Sequence, residues 1–160
     1  MADLIFYTNP MSRGRIVRWM LEEVGAPYDT VLLDYGTTMK APDYLAINPM
    51  GKVPAIRHGD TVVTEGGAIC AYLADAFPER KLAPPPGDPR RGSYYRWMFF
   101  AAGPVEAAVT AKSLGLLAPE DKKMMAGYGS FDETIDALGA ALAGGPYISG
   151  DQSTAADVYA

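Results

Sequence analysis

The chain has 160 residues, 49% of them hydrophobic and 21% charged, which predicts a globular protein rather than a disordered one. The net charge of -5 argues against a nucleic-acid partner, because a phosphate-binding surface needs a basic stripe. No apolar run approaches the ~20 residues of a membrane span, and we expect neither a membrane partner nor a signal peptide. The single cysteine, Cys70, excludes internal disulfides and fits a reducing compartment, so we expect a cytoplasmic protein.

Strand and helix patterns alternate at the start of the chain. Leu4–Thr8 is an apolar run that stops at Asn9-Pro10, which predicts a buried strand. In Gly14–Val24 the apolar residues fall on one helical face, and Gly25 ends the predicted helix. Tyr28–Leu33 alternates and is β-branched, which predicts a second strand. Because a helix joins the two strands, we expect them to be parallel neighbours.

A hairpin between two helices is predicted next. Helical patterns cover Asp43–Ile47 and Ala68–Phe77. Val53–Arg57 and Thr61–Thr64 are predicted strands, since the three residues that join them include a glycine. The single histidine, His58, falls in this turn, where we expect it to be solvated. The order β-α-β, short helix, β-β-α predicts a mixed sheet of four strands with helices on both faces.

The second half of the chain is predicted to be helical. Residues 78–89 (PERKLAPPPGDP) contain five prolines, which predicts a stiff linker. Arg90–Leu117 predicts a long helix with a bend at Gly103-Pro104, and another helix is expected from Pro119 to Leu142. We therefore expect an α/β thioredoxin-like domain over residues 1–78, a linker over residues 79–89 and an all-α domain over residues 90–160.

A last helix is predicted to begin at the C-terminal end of the sequence. Thr154 and Asp157 have the spacing of a capping box. The sequence stops at Ala160, one turn into that helix, and an isolated helical turn is unstable. We therefore expect the chain to be a fragment of a longer protein whose helical domain is incomplete.

Two motifs in the first domain resemble those of one known family. Residues 48–54 (NPMGKVP) are similar to the NPxGKVP segment of glutathione transferases, and residues 65–73 (EGGAICAYL) are similar to their ESxAIxxYL segment. The capping box at Thr154 matches the one that opens the family's sixth helix. The chain thus resembles the glutathione S-transferase family, in particular its bacterial theta-like or beta-like members, along nearly its whole length.

The resemblance implies an enzyme that joins the thiol of glutathione, its cosubstrate, to small electrophiles. It also implies a homodimer and no metal. The thiolate is the nucleophile, and a thiol of pKa ~8.5 is only ~3% ionised at pH 7. Lowering this pKa by ~2 units requires roughly 2.7 kcal/mol of preferential stabilisation of the anion. Because the nucleophile belongs to the cosubstrate, the site needs no cysteine, and we expect Cys70 in the core.

Ser12 is the leading candidate for the donor to the thiolate. It lies between the first strand and the first helix, where a hydroxyl and free backbone N–H groups converge, and the resemblance places a Ser or Cys at this spacing from a first-strand aromatic. The alternative is that Ser12 only caps the helix. Tyr7 competes, because other classes use a tyrosine at the end of strand 1, although residues 13–15 (RGR) follow it two positions too late here. Asn9, beside the turn, is a third candidate.

The other glutathione contacts implied by the resemblance come from the two motifs. A cis bond before Pro54 would let the Val53 backbone pair with the cysteinyl part of glutathione, the alternative being a trans proline that starts an edge strand. Glu65 is expected to accept from the γ-glutamyl ammonium, unless it is an ordinary acid of a first helical turn. Gly66 stands where the family usually has serine, so one donor to the γ-glutamyl carboxylate is missing.

Lys52 and Lys40 are candidates for holding the glycyl carboxylate, the alternative being solvated lysines. The second substrate is expected between the domains, beside a stripe on the first long helix that could also be core or dimer interface: Tyr94, Trp97, Met98 and Phe100. Two other functions stay open. One is a non-catalytic interaction or ligand-binding module of the same fold, and the other is a glutathione-dependent reductase or isomerase, which would normally use a cysteine in the site.

Overall fold

A four-stranded mixed sheet forms the centre of the first of two compact units. The structure is a computed structural model that describes residues 2–160, and it divides after Arg80. The strands are β1 (Leu4–Thr8), β2 (Tyr28–Leu32), β3 (Ala55–His58) and β4 (Thr61–Thr64). Their order is β2-β1-β3-β4, with β2 parallel to β1 and the other pairs antiparallel. The helices of this unit are α1 (Gly14–Val24), α2 (Pro42–Leu45) and α3 (Gly66–Ala76), with short 3-10 turns at Thr38–Lys40 and Pro78–Arg80.

Helices pack on both faces of the sheet, as predicted. All five residues of β1 are buried, and successive side chains of a strand point to opposite faces. Ile5 and Tyr7 pack in a cluster with Met39 and with Tyr44 of α2. On the other face Thr8 meets the start of α1, which packs in turn against α3. The end of β1 is therefore held from both sides, and the loop that follows it starts from a rigid base.

Several predicted boundaries move by one or two residues. Strand β3 starts at Ala55 rather than Val53, because Pro54 has no N–H to give to the sheet. The short helix starts at Pro42, which is favoured at the first helical position. The third helix starts at Gly66 and therefore directly follows Glu65, two residues earlier than predicted.

The second unit, from Lys81 onward, is helical. Its helices are α4 (Arg91–Phe100), α5 (Glu106–Leu114), α6 (Phe131–Leu142) and α7 (Ala155–Tyr159), with a π-helical turn at Ala101–Val105 and a 3-10 helix at Glu120–Met125. The predicted bend at Gly103-Pro104 is the π-helical turn, since Pro104 cannot donate to the helical ladder. The single predicted helix from Pro119 to Leu142 is wrong. It is interrupted at Gly129, whose φ is +64°, and α6 begins with a capping box of its own.

The predicted cap of α7 is confirmed. The Thr154 hydroxyl accepts from the Ala156 N–H at 3.2 Å, and the Asp157 carboxylate accepts from the Thr154 N–H at 2.8 Å. The second oxygen of Asp157 accepts from the Ile148 N–H at 2.7 Å, and the Ala155 N–H donates to the Leu82 carbonyl at 2.7 Å. The cap thus joins α7 to two other segments of the second unit. Within residues 2–160, no helix combines the length and the apolar character needed to cross a bilayer.

Candidate functional site

A cleft of about 630 Å³ lies in the first unit. Its walls come from the loop between β1 and α1, the segment after β2 and the turn before β3. Four of the predicted glutathione-binding residues line it together, namely Ser12, Lys40, Lys52 and Val53. These residues come from three separate segments of the sequence, and the sheet brings them to one place.

The Ser12 hydroxyl is already hydrogen-bonded. It donates to the Asn9 carbonyl at 2.6 Å and accepts from the Gly14 N–H at 3.0 Å, while the Ser12 N–H also donates to the Asn9 carbonyl at 3.0 Å. If the hydroxyl turned to a thiolate, Asn9 would keep the backbone donor. The exchange would replace a neutral hydrogen bond of about 1 kcal/mol with a charge-assisted one of about 1.5–3 kcal/mol. The present contacts are therefore compatible with both the capping role and the donor role of Ser12.

Asn9 shapes the turn that carries Ser12. Its side-chain amide donates to the Leu33 carbonyl at 2.8 Å, and its side-chain oxygen accepts from the Met11 N–H at 2.9 Å. Gly14 is required in the same turn, because an added Cβ would overlap Thr8 Oγ1 and lie 2.9 Å from Ser12 Oγ. Asn9 thus positions the loop, and a direct contact of Asn9 with sulfur stays a prediction.

Tyr7, the competing candidate, lies in the core. Its side chain is buried on β1, and its ring packs against Tyr44 with 5.7 Å between centroids. It is not among the residues that line the cleft, whereas Ser12 is. The structure therefore shows a packing role for Tyr7, and its role in binding glutathione stays a prediction.

The turn before β3 is anchored by polar side chains. The Lys52 carbonyl accepts from the Tyr44 hydroxyl at 2.6 Å and from the Asn48 amide at 2.8 Å. Burial raises the pKa of the Tyr44 hydroxyl to about 12, so this group remains a donor. The ammonium of Lys40 donates to the Met50 carbonyl at 2.9 Å. The Lys52 side chain is exposed and lines the cleft.

The Val53-Pro54 peptide bond is cis, as predicted. Val53 is half-buried at the cleft wall and Pro54 is buried at the start of β3. Glu65 and Gly66 are not among the lining residues. Glu65 is the exposed N-cap residue of α3, with φ +68°, and its carbonyl accepts from the Ile69 N–H at 2.9 Å. Gly66 is the first helical residue of α3.

The predicted stripe for the second substrate lies on α4. Tyr94, Trp97 and Met98 are buried, and Phe100 is half-buried with its ring centroid 5.4 Å from that of Trp97. These contacts are what a packed helix face would also show. A role of the stripe in binding a second substrate therefore stays a prediction.

Cys70 and His58 have structural surroundings. Cys70 is fully buried on α3, which confirms the predicted core position, and burial raises the pKa of its thiol to about 12. The expectation of a solvated His58 is wrong, because its ring lies 3.0 Å from the Tyr72 hydroxyl and stacks on Phe77 at 5.7 Å. Within residues 2–160, no group of three or more His, Cys, Asp or Glu side chains could hold a metal ion.

Eight residues that line the cleft were not predicted as site residues from sequence, and Met11, Arg15 and Tyr35 are among them. Met11 and Tyr35 lie in loops, where no periodicity reports which side chain faces a ligand, and they are 85% and 59% exposed. Arg15 belongs to the polar face of α1 and is indistinguishable by pattern from its exposed neighbour Arg18. The fold alone places these side chains beside Ser12.

Comparisons with known proteins agree with this fold. Residues 2–75 match the family described as glutathione S-transferase, N-terminal domain. Glutathione S-transferase 3 of Zea mays is 29% identical over 98% of this chain and 75% of its own length. The crystal structure of a glutathione transferase from Methylococcus capsulatus str. Bath is 31% identical with a TM-score of 0.80, covering 98% of this chain and 78% of that one. A Sulfitobacter homologue with bound glutathione is 32% identical with a TM-score of 0.73, covering 99% and 79%. The chain therefore belongs to the glutathione S-transferase family.

Proposed function

We propose that the chain is a glutathione transferase, which binds glutathione in the cleft of the first unit and joins its sulfur to a small electrophile. The observation that carries the proposal is the meeting of Ser12, Val53 and two lysines in one cleft. Membership of the family supports it, as does the Sulfitobacter homologue of the same fold with glutathione bound. We further expect the protein to be a cytoplasmic homodimer.

Ser12 would supply part of the stabilisation that the thiolate needs. Exchange of its neutral hydrogen bond to Asn9 for a charge-assisted one gains a net of about 0.5–2 kcal/mol, against the roughly 2.7 kcal/mol required for a pKa shift of ~2 units, and the backbone N–H groups at the start of α1 would supply the remainder. The Ser12 oxygen would keep its bond from the Gly14 N–H, which polarises the hydroxyl and strengthens its donation to sulfur. The sulfur lone pair then forms the new bond to the electrophilic carbon, and the leaving group departs with the electron pair of the broken bond.

The tripeptide backbone would be held by the surrounding segments. The Val53 N–H and C=O would pair with the cysteinyl residue in the manner of an added strand. Lys52 is the first choice for the glycyl carboxylate, because its ammonium is exposed at the cleft, whereas that of Lys40 already binds the Met50 carbonyl. Glu65 would accept from the γ-glutamyl ammonium, and the N–H groups at the start of α3 would hold the neighbouring carboxylate.

Binding and ionisation of glutathione can be measured separately. Calorimetry gives the affinity, and the ultraviolet absorbance of the thiolate against pH gives the pKa of bound glutathione. We expect Ser12→Ala to raise this pKa by about 0.5–1.5 units with a small change in affinity, and Ser12→Thr to retain part of the shift. Tyr7→Phe tests the competing donor and should leave the pKa unchanged, because Tyr7 is packed in the core. Absence of glutathione binding in the parent protein would end the proposal.

Gly66 favours a second candidate, a non-catalytic module of the same fold. The hydroxyl that the family usually places there is missing, so the γ-glutamyl carboxylate has only backbone donors. A module would bind glutathione more weakly than millimolar and would lack turnover, and Gly66→Ser should then restore affinity. A reductase or isomerase that uses Cys70 is disfavoured, because this thiol is buried and its pKa is about 12.

A further inference from the structure

The cleft has a positively charged lining. Four of its residues are basic, Arg13, Arg15, Lys40 and Lys52, and none is acidic. In the proposed binding mode, glutathione brings one carboxylate and one thiolate to this lining, because its other carboxylate lies at the start of α3. Arg13 has interactions of its own, and the other three cations still exceed the two negative charges that the cosubstrate brings.

Arg15 is the cation that no described contact accounts for. Lys40 is bonded to the Met50 carbonyl, Lys52 is assigned to the glycyl carboxylate, and Arg13 has interactions of its own. Within residues 2–160, Arg15 has no ion pair, and it lies one helical turn after Ser12, where its N–H donates to the Ser12 carbonyl at 3.3 Å. Arg15 lines the cleft together with Ser12, and a guanidinium is well suited to a bidentate contact with a carboxylate.

An apolar pair lies in the same cleft. Met11 is 85% exposed and Tyr35 is 59% exposed, and both line the cleft with Ser12 and Arg15. Exposed apolar side chains that gather in a concave site are a common feature of ligand-binding surfaces. Neither residue has an assigned part in holding the polar tripeptide. The surface defined by Met11, Arg15 and Tyr35 is therefore available to a second molecule that is apolar and carries an anion.

We propose that the second substrate is an aromatic electrophile bearing a carboxylate, with its ring on Met11 and Tyr35 and its carboxylate on Arg15. The inference rests on the proposed transferase activity and specifies its substrate class. For a chloronitrobenzoate, the thiolate sulfur bonds to the ring carbon that bears chlorine, the carbon–chlorine bond breaks, and chloride leaves with the electron pair. The thiol proton has already passed to solvent, and the carboxylate takes no part in the bond changes.

The test compares two electrophiles of similar shape, 4-chloro-3-nitrobenzoate and 4-chloro-3-nitrobenzamide, of which only the first is charged; their different intrinsic reactivity cancels when the ratio is compared between proteins. The measured quantity is the ratio of their kcat/KM values in the parent protein, in Arg15→Gln and in Arg18→Gln. Arg18 is the matched control, because it is exposed on the same helix and pairs with Glu22 outside the cleft. Taking the ratio cancels any effect of the substitution on thiol ionisation, since both substrates meet the same thiolate.

We expect the ratio of kcat/KM for the benzoate to that for the benzamide to be about tenfold lower in Arg15→Gln than in the parent protein and unchanged in Arg18→Gln, as for the loss of a charge-assisted contact of about 1.4 kcal/mol. Calorimetry with the two S-aryl conjugates, acid and amide, should show the same change in the ratio of their affinities. A ratio that is the same in all three proteins overturns the inference while the proposed function stands. Failure to bind glutathione or either conjugate overturns both.

Discussion

Glu65 holds a backbone conformation that costs stability. Its φ of +68° and ψ of +121° lie outside the regions that side-chain-bearing residues favour. Such a residue costs about 1–3 kcal/mol. Glycine would remove that cost, but the larger conformational entropy of its unfolded chain would lower the free energy of unfolding by about 0.4–1 kcal/mol. We therefore predict that Glu65→Gly stabilises the protein by about 1 kcal/mol, or about 2–4 °C in Tm, while glutathione binding is lost.

Two further variants separate the backbone from the carboxylate. Glu65→Ala removes the carboxylate but keeps the strained conformation, so it should lose binding without gaining stability. Lys81 is the other non-glycine residue with positive φ in residues 2–160, at +55°. Lys81→Gly should therefore gain stability while glutathione binding is unchanged, because the proposed binding mode makes no use of the Lys81 side chain.

Urea unfolding and calorimetric titration with glutathione measure the two effects. The decisive quantity is the difference in unfolding free energy between the glycine and alanine variants at position 65, because both variants lack the carboxylate. If Glu65→Gly is no more stable than Glu65→Ala, the backbone there is not strained. If it keeps the affinity of the parent protein, the carboxylate does not contact the γ-glutamyl ammonium.

Three other predictions concern burial, capping and charge. Asp157→Ala should lower the free energy of unfolding in urea by about 2–4 kcal/mol, because two backbone N–H groups lose their acceptor. Glu133→Ala, in the exposed capping box of α6, should lower it by only about 0.5–1 kcal/mol. Equal losses in the two variants would contradict this prediction. Cys70 should resist thiol reagents at pH 8 until the protein is unfolded, and labelling of the native protein would refute its burial. The hydrogen bond from the Arg90 side chain lowers the pKa of Asp88 from 3.8 to about 2. The ionised Asp88 carboxylate therefore contributes its full stabilisation above about pH 4 and loses it as the pH falls through 2. Arg90→Gln should return the NMR titration midpoint of this carboxyl towards 3.8, and an unchanged midpoint would contradict the role of Arg90.

The first unit was predictable because its signals are local. The apolar run of Leu4–Thr8, the one-sided helix Gly14–Val24 and the strand Thr61–Thr64 kept their predicted bounds. Each is determined by spacing and by a stop signal within a few residues. The prediction from Pro119 to Leu142 failed because helical composition hid the break at Gly129, where the backbone needs a positive φ.

The candidate site was predictable only in part. Ser12 and Val53 could be found because short motifs surround them, and the fold brings both to one cleft. Tyr35 could not be found, because nothing in a polar loop indicates which aromatic side chain will face a ligand. The surroundings of His58 were also hidden, since its contacts with Tyr72 and Phe77 come from a helix whose position depends on the packed sheet.

The hydrogen bonds that join the two ends of the second unit can form only late in synthesis on the ribosome. The Gln152 side chain donates to the Lys81 carbonyl, 71 positions earlier, and the Ala155 N–H donates to that of Leu82. All strand pairs of the first unit involve residues that precede residue 65, so the sheet can assemble while later residues are still being added. At about 5–20 residues per second, the nascent helices then wait several seconds for residues 152–157. A chain halted near residue 150 would carry a finished sheet and an unclosed helical unit.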